Sequence, residues 1–293
     1  MSLRSPQPHA RIRCREIREA DFPAVADLLG RSFARRELQL SRLRRLAERG
    51  VPPGMPNIGY LLECSGTPVG AILTIFATVA WRGTSCIRCN LSSWHVEPDY
   101  RSYAPLLIAQ ALKHKDVTYV NVSARPGTWP IVEAQGFSRY SKGVFLALPA
   151  LSRRGDGARI APIATAEDTV GGIDPREGAL LRDHATFGCT SILCRAADGV
   201  YPFVFARRDL KRFFPAVQLV YCRRIEDFVR FAGQLGRHLA VRGVACVLVD
   251  ANGPIPGLRG RYVDGKMPKF FRGNHIPRQG DLAYTNLALF ANL

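Results

Sequence analysis

Lysine and cysteine are both scarce in this chain. Six lysines stand against 35 arginines, and eight cysteines are spread over 293 residues. Cysteines that sparse exclude a disulfide scaffold, and settings such as Ala245-Cys246-Val247-Leu248 read as reduced thiols in apolar strands. Long apolar runs are missing as well. The strongest, Val69 to Trp81, is interrupted by Thr74 and Thr78 and falls short of the about 20 residues a membrane helix needs, so it reads as a buried strand. Met1 to Arg18 has arginines but no apolar block behind them, so neither a secretory signal nor an anchor is expected and a cytoplasmic address follows by default.

The rest of the composition describes a globular protein. Hydrophobic residues at 47% and charged residues at 22% leave ample apolar surface to bury, and a chain of this length is expected to form two domains or large subdomains. The formal charge of +17 raises the question of nucleic acid, because clustered basic side chains bind phosphate backbones by releasing counterions. Here the arginines run through the whole chain. That argues for a basic solvated surface and, at most, an anionic ligand or partner, with an anionic-polymer-binding protein as a third-ranked reading. Cys86-Ile87-Arg88-Cys89 has the spacing of a redox pair or half a zinc site, but positions three apart on a strand point to opposite faces. No second such motif completes four ligands. No metal is expected.

Along the chain, Ile12 to Ile17 alternates like a first strand. Asp21-Phe22-Pro23 opens a helix with Asp21 as N-cap, and Val25, Leu28, Leu29 and Phe33 form its buried stripe. A second helix over Leu38 to Arg49 stops at Gly50 before Val51-Pro52-Pro53-Gly54. Ile58 to Cys64 and Val69 to Thr78 flank the turn Ser65-Gly66-Thr67-Pro68 as a hairpin. A strand from Cys86 to Val96 then leads through Glu97-Pro98-Asp99-Tyr100-Arg101 into a helix with Leu106, Leu107, Ile108, Ala111 and Leu112. Val117 to Ser123 is the strand after it, giving a β-α-β unit.

This order, together with Val96-Glu97-Pro98-Asp99-Tyr100-Arg101, resembles the GNAT acyltransferase superfamily and its V-x-P-x-(Y/F)-R segment. Asn121-Val122-Ser123-Ala124, the helix Thr128 to Gln135 and Gly136-Phe137 resemble its second motif, so the likeness spans residues 12 to 148. Gly136 also has a local meaning, as the helix C-cap where positive φ is easiest without a Cβ. The resemblance implies an α/β (α+β) fold with a mixed central sheet flanked by helices, and acetyl-coenzyme A or another acyl-coenzyme A bound at the start of the helix after the key strand. A helix N-terminus suits a pyrophosphate because its first N–H groups are unpaired. The implied cofactor-binding residues are Trp94, Val96, Arg101, Ser102, Tyr103, Ala104, Pro105, Leu106 and Asn121. Ala104 and Leu106 depart from the family's (R/Q)-x-x-G-x-(G/A) run, and Pro105 removes a backbone donor.

The carboxylate that GNAT enzymes place before the motif valine is replaced by Ser92 and Ser93, and Val132 stands where a tyrosine acid is usual. His95 and Glu97 are the nearest substitutes for a base, with Ser93 beside them; Tyr103 and Tyr140 are weaker candidates for the acid. The bulged strand near Ser93 and Trp94 is expected to polarise the thioester through backbone N–H groups. The reaction implied is acyl transfer to an amine or hydroxyl, with a non-catalytic acyl-coenzyme A-binding module as the alternative. The acceptor, small molecule or polymer, is not named by any motif.

Residues 1–150 are read as the acyl-coenzyme A-binding domain, 151–172 as a linker, and 173–293 as a degenerate second copy. Ser191 to Ala196 and Tyr201 to Ala206 form its hairpin, Val217 to Tyr221 a strand, Ile225 to Val241 a helix ending at Gly243, and Val244 to Asp250 another strand. It lacks the phosphate turn, and Glu226 and Asp227 at the helix entrance repel an anion. Asp250 to Pro254 and Gly280 to Thr285 are candidates for an acceptor cleft, against a purely structural role in turns. His184 and His275 are isolated.

Overall fold

The computed structural model describes residues 11–33, 35–153, 157–163, 171–210 and 214–293. Residues 1–10 and parts of the expected 151–172 linker lie outside them. The chain divides into two compact units, one reaching to Tyr119 and the other running from Val120 to Asn292.

The first unit opens with β1 (Ile12–Glu16), paired antiparallel with β2 (Gly59–Cys64). Asp21 holds the N-cap position of α1 (Phe22–Gly30) without capping it. Its carboxylate instead accepts two hydrogen bonds from Arg15 at 2.7 and 2.8 Å and one from the Arg18 N–H at 2.8 Å. A charge-assisted fork outcompetes a neutral amide for the same oxygens. α1 buries Phe22, Val25, Ala26, Leu28 and Leu29, and α2 (Arg36–Ala47) buries Gln39, Leu43 and Leu46, each set at helical spacing along one face. β2 turns through Ser65 and Gly66, both at positive φ, into β3 (Thr67–Trp81), which pairs antiparallel with β4 (Thr84–Val96). A 3₁₀ turn over Pro98–Tyr103 leads into α3 (Ala104–Ala111), and β5 (Val117–Asn121) follows. The sheet order in this part is β1-β2-β3-β4-β5.

In the second unit α4 (Trp129–Ala134) ends at Gly136, whose φ of 83° is the C-cap geometry expected of it. β6 (Ser138–Ala147), β7 (Arg159–Ile163), α5 (Pro175–Thr186), β8 (Thr190–Ala196), β9 (Gly199–Leu210) and β10 (Phe214–Cys222) come next. α6 (Ile225–Ala240), β11 (Cys246–Ala251), β12 (Gly260–Arg272) and α7 (Asn286–Leu289) complete it. The strand order is β12-β6-β11-β10-β9-β8-β7. β10 and β11 are parallel and the flanking pairs antiparallel, so the sheet is mixed, as expected. The main core of this unit joins Phe203, Phe205, Phe228, Phe231 and Leu235 from β9 and α6 with apolar residues of β10 and β11. Hairpin, strand, helix and strand thus occur in both halves of the chain.

Candidate active site

The candidate site residues of the first unit gather where β4 stops being regular. Ala71 and Leu73 of β3 lie opposite His95 and Ser92 of β4, so one residue of β3 faces two on β4. This is a β-bulge at Ser93 and Trp94, and Ser93 takes a φ of 49°, the left-handed region a serine rarely adopts.

The bulge changes which side chains share a face. Strict alternation would group Ser92 with Trp94 and send His95 to the other side. With the extra residue, Arg88, Asn90, Ser92 and His95 stand opposite Ala77, Ile75, Leu73 and Ala71, and all four share one face. Arg88, Asn90 and Ser92 are buried there. Sequence periodicity did not reveal this row, although the family resemblance implied a bulge near Ser93 and Trp94, where the register shifts between Ala71 and Leu73.

His95 is the centre of a short chain of polar contacts. The Ser32 hydroxyl, just past α1, lies 2.9 Å from Nδ1. Glu97 Oε1 lies 3.8 Å from Nε2, and Arg31 Nη1 donates to that same oxygen at 2.5 Å. Burial holds the His95 pKa below the ordinary imidazole value, against the opposing pull of Glu97, which favours the neutral ring. Both nitrogens are covered, Nδ1 by Ser32 and Nε2 by burial without a hydrogen-bond partner among the described residues. Arg31 and Ser32 belong to this group, and no motif in the sequence pointed to them. Ser93 Oγ stands 3.4 Å from Ser92 Oγ, and the Trp94 indole N–H is buried without a partner among the described residues.

The expected phosphate turn follows at once. Val96 is buried and the Glu97 N–H is bound to Val69 O at 2.8 Å, which fixes the exit of the strand. Arg101, Ser102, Tyr103, Pro105 and Leu106 are exposed and Ala104 is half-buried. The backbone here is largely committed: the Tyr100 N–H bonds Glu97 O, the Ala104 N–H bonds Arg101 O, and Pro105 has no N–H. What remains for an anion is the Arg101 guanidinium, in no ion pair among the described residues, with the Ser102 hydroxyl beside it. That donor set fits a pyrophosphate held more by side chains than by the backbone cradle of a glycine-rich turn.

Asn121 ends β5, and its Oδ1 accepts from the Ser123 N–H at 3.4 Å. Val132 is buried in α4 and carries no proton-transfer group, while Tyr140 is buried in β6. Cys86 and Cys89 take opposite faces of β4, with Cys89 fully buried, and no metal-holding group of His, Cys, Asp or Glu occurs among the described residues.

The corresponding strand and helix of the second unit are built differently. β10 also has a register shift, between Leu219 and Tyr221, but the tail pairs with it there. The Leu282 N–H bonds Val220 O at 2.7 Å, and the Cys222 N–H bonds Gly280 O at 3.0 Å. His184, fully buried, accepts the Tyr284 N–H on Nε2 at 3.1 Å and holds Leu180 O through Nδ1 at 2.7 Å. Tyr284 also donates to Asp183 at 2.7 Å, and Thr285 to Leu282 O at 2.7 Å. The Gly280 to Thr285 segment is therefore bonded into the unit's own frame. His184, isolated in sequence, is what fastens it. Asn252 plays a similar part, accepting from the Lys142 N–H and donating to Tyr140 O.

No protein-family model matches the sequence, nor does any curated protein. Solved structures do. The chain is similar to a GCN5-related N-acetyltransferase from Anabaena variabilis, with 13% identity and a TM-score of 0.59 over 89% of this chain and 72% of that one. A GCN5-related N-acetyltransferase from Kribbella flavida gives 14% and 0.56 over 90% and 71%. A putative acetyltransferase from Pyrococcus horikoshii gives 13% and 0.57 over 99% of either chain. The fold of this chain is therefore that of the GCN5-related N-acetyltransferases, as the V-x-P-x-Y-R turn implied.

Proposed function

We propose that this protein is an acyltransferase that moves an acetyl or other acyl group from coenzyme A to an amine or hydroxyl acceptor by direct transfer. The observation that carries this reading is the bulge at Ser93 and Trp94, immediately ahead of the Val96 to Arg101 turn and beside the His95 group. A bulge re-aims backbone N–H groups out of the ladder, which is what stabilising the oxygen of a reacting carbonyl requires. The thioester supplies the activated acyl carbon; Arg101 and Ser102 hold its phosphates, and Trp94, Tyr103 and Leu106 offer apolar surface nearby. Asn121 is a candidate further along the donor. His95, favoured in its neutral form by burial and hydrogen-bonded at Nδ1 by Ser32, is the candidate proton acceptor. Exposed Tyr103 is the candidate to return a proton to the thiolate.

The alternative, a module that binds acyl-coenzyme A without turning it over, draws on the missing carboxylate at Ser92 and Ser93 and the missing acid at Val132. Titration calorimetry with acetyl-coenzyme A, on the wild type and on Arg101→Glu, tests the shared part of both readings. Saturable binding is expected in the wild type, with a loss of at least about tenfold in the variant, because reversing a charge beside a phosphate costs more than deleting it. A folded wild type that gives no heat would remove both. Thiol release over an amine panel then separates transferase from binding module.

A further inference from the structure

We infer that the cleft between α6 and the edge strand β7 is a binding site for a small organic acid, a single carboxylate carried on an apolar body. The cleft lies wholly within the second unit, so the inference stands apart from the acyl-transfer reading above.

The cleft follows from the sequence of α6. Phe228, Phe231, Leu235 and Leu239 recur at helical spacing on the face that meets the core. Gln234, Arg237, His238 and the C-cap residue Val241 recur at the same spacing on the adjoining face. That second face stands across from Ala158 and Ile160, at the start of β7, which pairs with β8 and ends the strand order. Helix and strand edge enclose about 490 Å³, within the roughly 300–1,000 Å³ of small-molecule sites.

The lining is one-sided in charge. Arg237 is half-buried and enters no ion pair among the described residues, and its Nη2 is buried without a hydrogen-bond partner, as is Nε2 of the neighbouring His238. No carboxylate lines the cleft among the described residues. Two basic residues in the last turn suit the negative end of α6, but a dipole does not replace the hydrogen bonds that a guanidinium gives up on leaving water. A carboxylate does, and the planar fork of an arginine matches its two oxygens. The charge balance sets the class. Burial, and after it the Arg242 charge, disfavours protonation of the His238 ring, and Arg242 is itself engaged with the His238 carbonyl at 2.9 Å. Arg237 is then the one full cation lining the cleft among the described residues, which matches a monoanion better than a phosphate dianion. Ala158, Ile160 and Val241 supply the apolar surface, and Val241, 82% exposed, has the most to gain from being covered.

Titration calorimetry of the full chain with sodium octanoate, joined to methyl NMR of isoleucine- and valine-labelled protein, tests the site. Saturable binding is expected, with shifts at the Ile160 and Val241 methyls, which Ile160→Val and Val241→Ala identify. Arg237→Gln should weaken octanoate about tenfold, the low end of what a hydrogen bond to a charged group contributes. Val241→Asp, at an exposed position outside the core, should weaken it by about as much through like charge, and serves if the arginine variant loses its fold. Octan-1-ol, which keeps the chain without the charge, and acetate, which keeps the charge without the chain, should each bind at least about tenfold more weakly than octanoate. A folded wild type without saturable heat overturns the inference, as does unaltered affinity in folded Arg237→Gln or Val241→Asp. Inorganic phosphate binding more tightly than octanoate, or octanoate shifts confined to methyls of the first unit, would overturn it too.

Discussion

Two stretches of this chain follow the same plan, strand with an irregular register, turn, helix, and they put their polar groups to opposite uses. From β4 to α3, His95, Glu97, Ser32 and Arg101 stand half-buried or exposed, and the contacts around His95 leave buried donors and acceptors unpaired. From β10 to α6, the same region is closed by residues of its own unit. Arg223 clamps Glu177 at 2.5 Å, Arg278 bonds Cys222 O and stacks over Tyr221, and the tail pairs with the irregular strand. α6 begins with Glu226 and Asp227, which stabilise its positive end and disfavour an anion there. Unsatisfied polar groups are costly, and the second stretch has them too, at Gln218 Oε1, Arg237 Nη2 and His238 Nε2, so the difference lies in how the strand and turn are closed.

The sharpest break in that contrast is Lys269. It is 1% exposed on β12, with Nζ 3.7 Å from the equally buried Asp250, whose Oδ1 also accepts from Gln218 at 3.2 Å. Burial pushes the Asp250 pKa up and the Lys269 pKa down, each held back by its partner. Lys269→Ala leaves the buried Asp250 carboxylate without its ion-pair partner, with only the Gln218 hydrogen bond and Arg208 to stabilise it, and should cost about 3–5 kcal/mol in chemical denaturation. The paired change Lys269→Met with Asp250→Asn should cost much less, since it removes both charges together. If the single variant is as stable as wild type, the second unit does not depend on this pair, and the contrast between the two halves weakens.

A smaller effect is expected from Gly236 of α6. A Cβ there would stand 2.1 Å from Ala150 N, and one on Gly233 2.2 Å from Arg153 O, so α6 needs both glycines to let the Pro149–Arg153 segment lie against it. Glycine in mid-helix is about 1 kcal/mol worse than alanine. Against that, forcing a methyl into backbone costs typically about 1–3 kcal/mol, so packing wins the sign. Gly236→Ala should lower Tm by a few degrees, and a raised Tm would mean that the segment is not seated on α6.

The plan of the fold was legible because its signals are local. Helical stripes such as Val25, Leu28 and Leu29, the Ser65-Gly66 turn and the Gly136 cap each name their own geometry, and the V-x-P-x-Y-R turn sits where strand meets helix. The site was legible only in part. His95 and Glu97 stood beside the motif, but Ser32 and Arg31 are 63 and 66 residues away from them in sequence, and no periodicity links a residue after α1 to the end of β4. Periodicity alone hid the rest, since one extra residue reassigns every side chain beyond it to the other face, and only the family resemblance pointed to a bulge there. Asp21 failed as a cap for a related reason: the sequence shows the carboxylate but not the arginine, across a turn, that claims it.

The least effect, and the finest test of the comparison, is the pH dependence of the first unit's stability. His95 has its folded pKa lowered, so the unfolded chain binds its proton more readily. Stability carried by the neutral ring is then fully present above the unfolded value, near 6.5, and is lost as pH falls through it toward the lower folded value. His114 and His238 are also lowered by burial and add to the same slope, one in each unit. His95→Gln keeps a polar side chain and removes the titration, so its stability should fall less steeply than that of wild type as pH drops below about 6.5. His238→Gln should flatten the slope too, because burial disfavours its charge as well, but it should leave the pH profile of thiol release untouched. Were both variants to alter that profile alike, the titration would belong to the fold as a whole, and His95 would lose its claim to face the reaction.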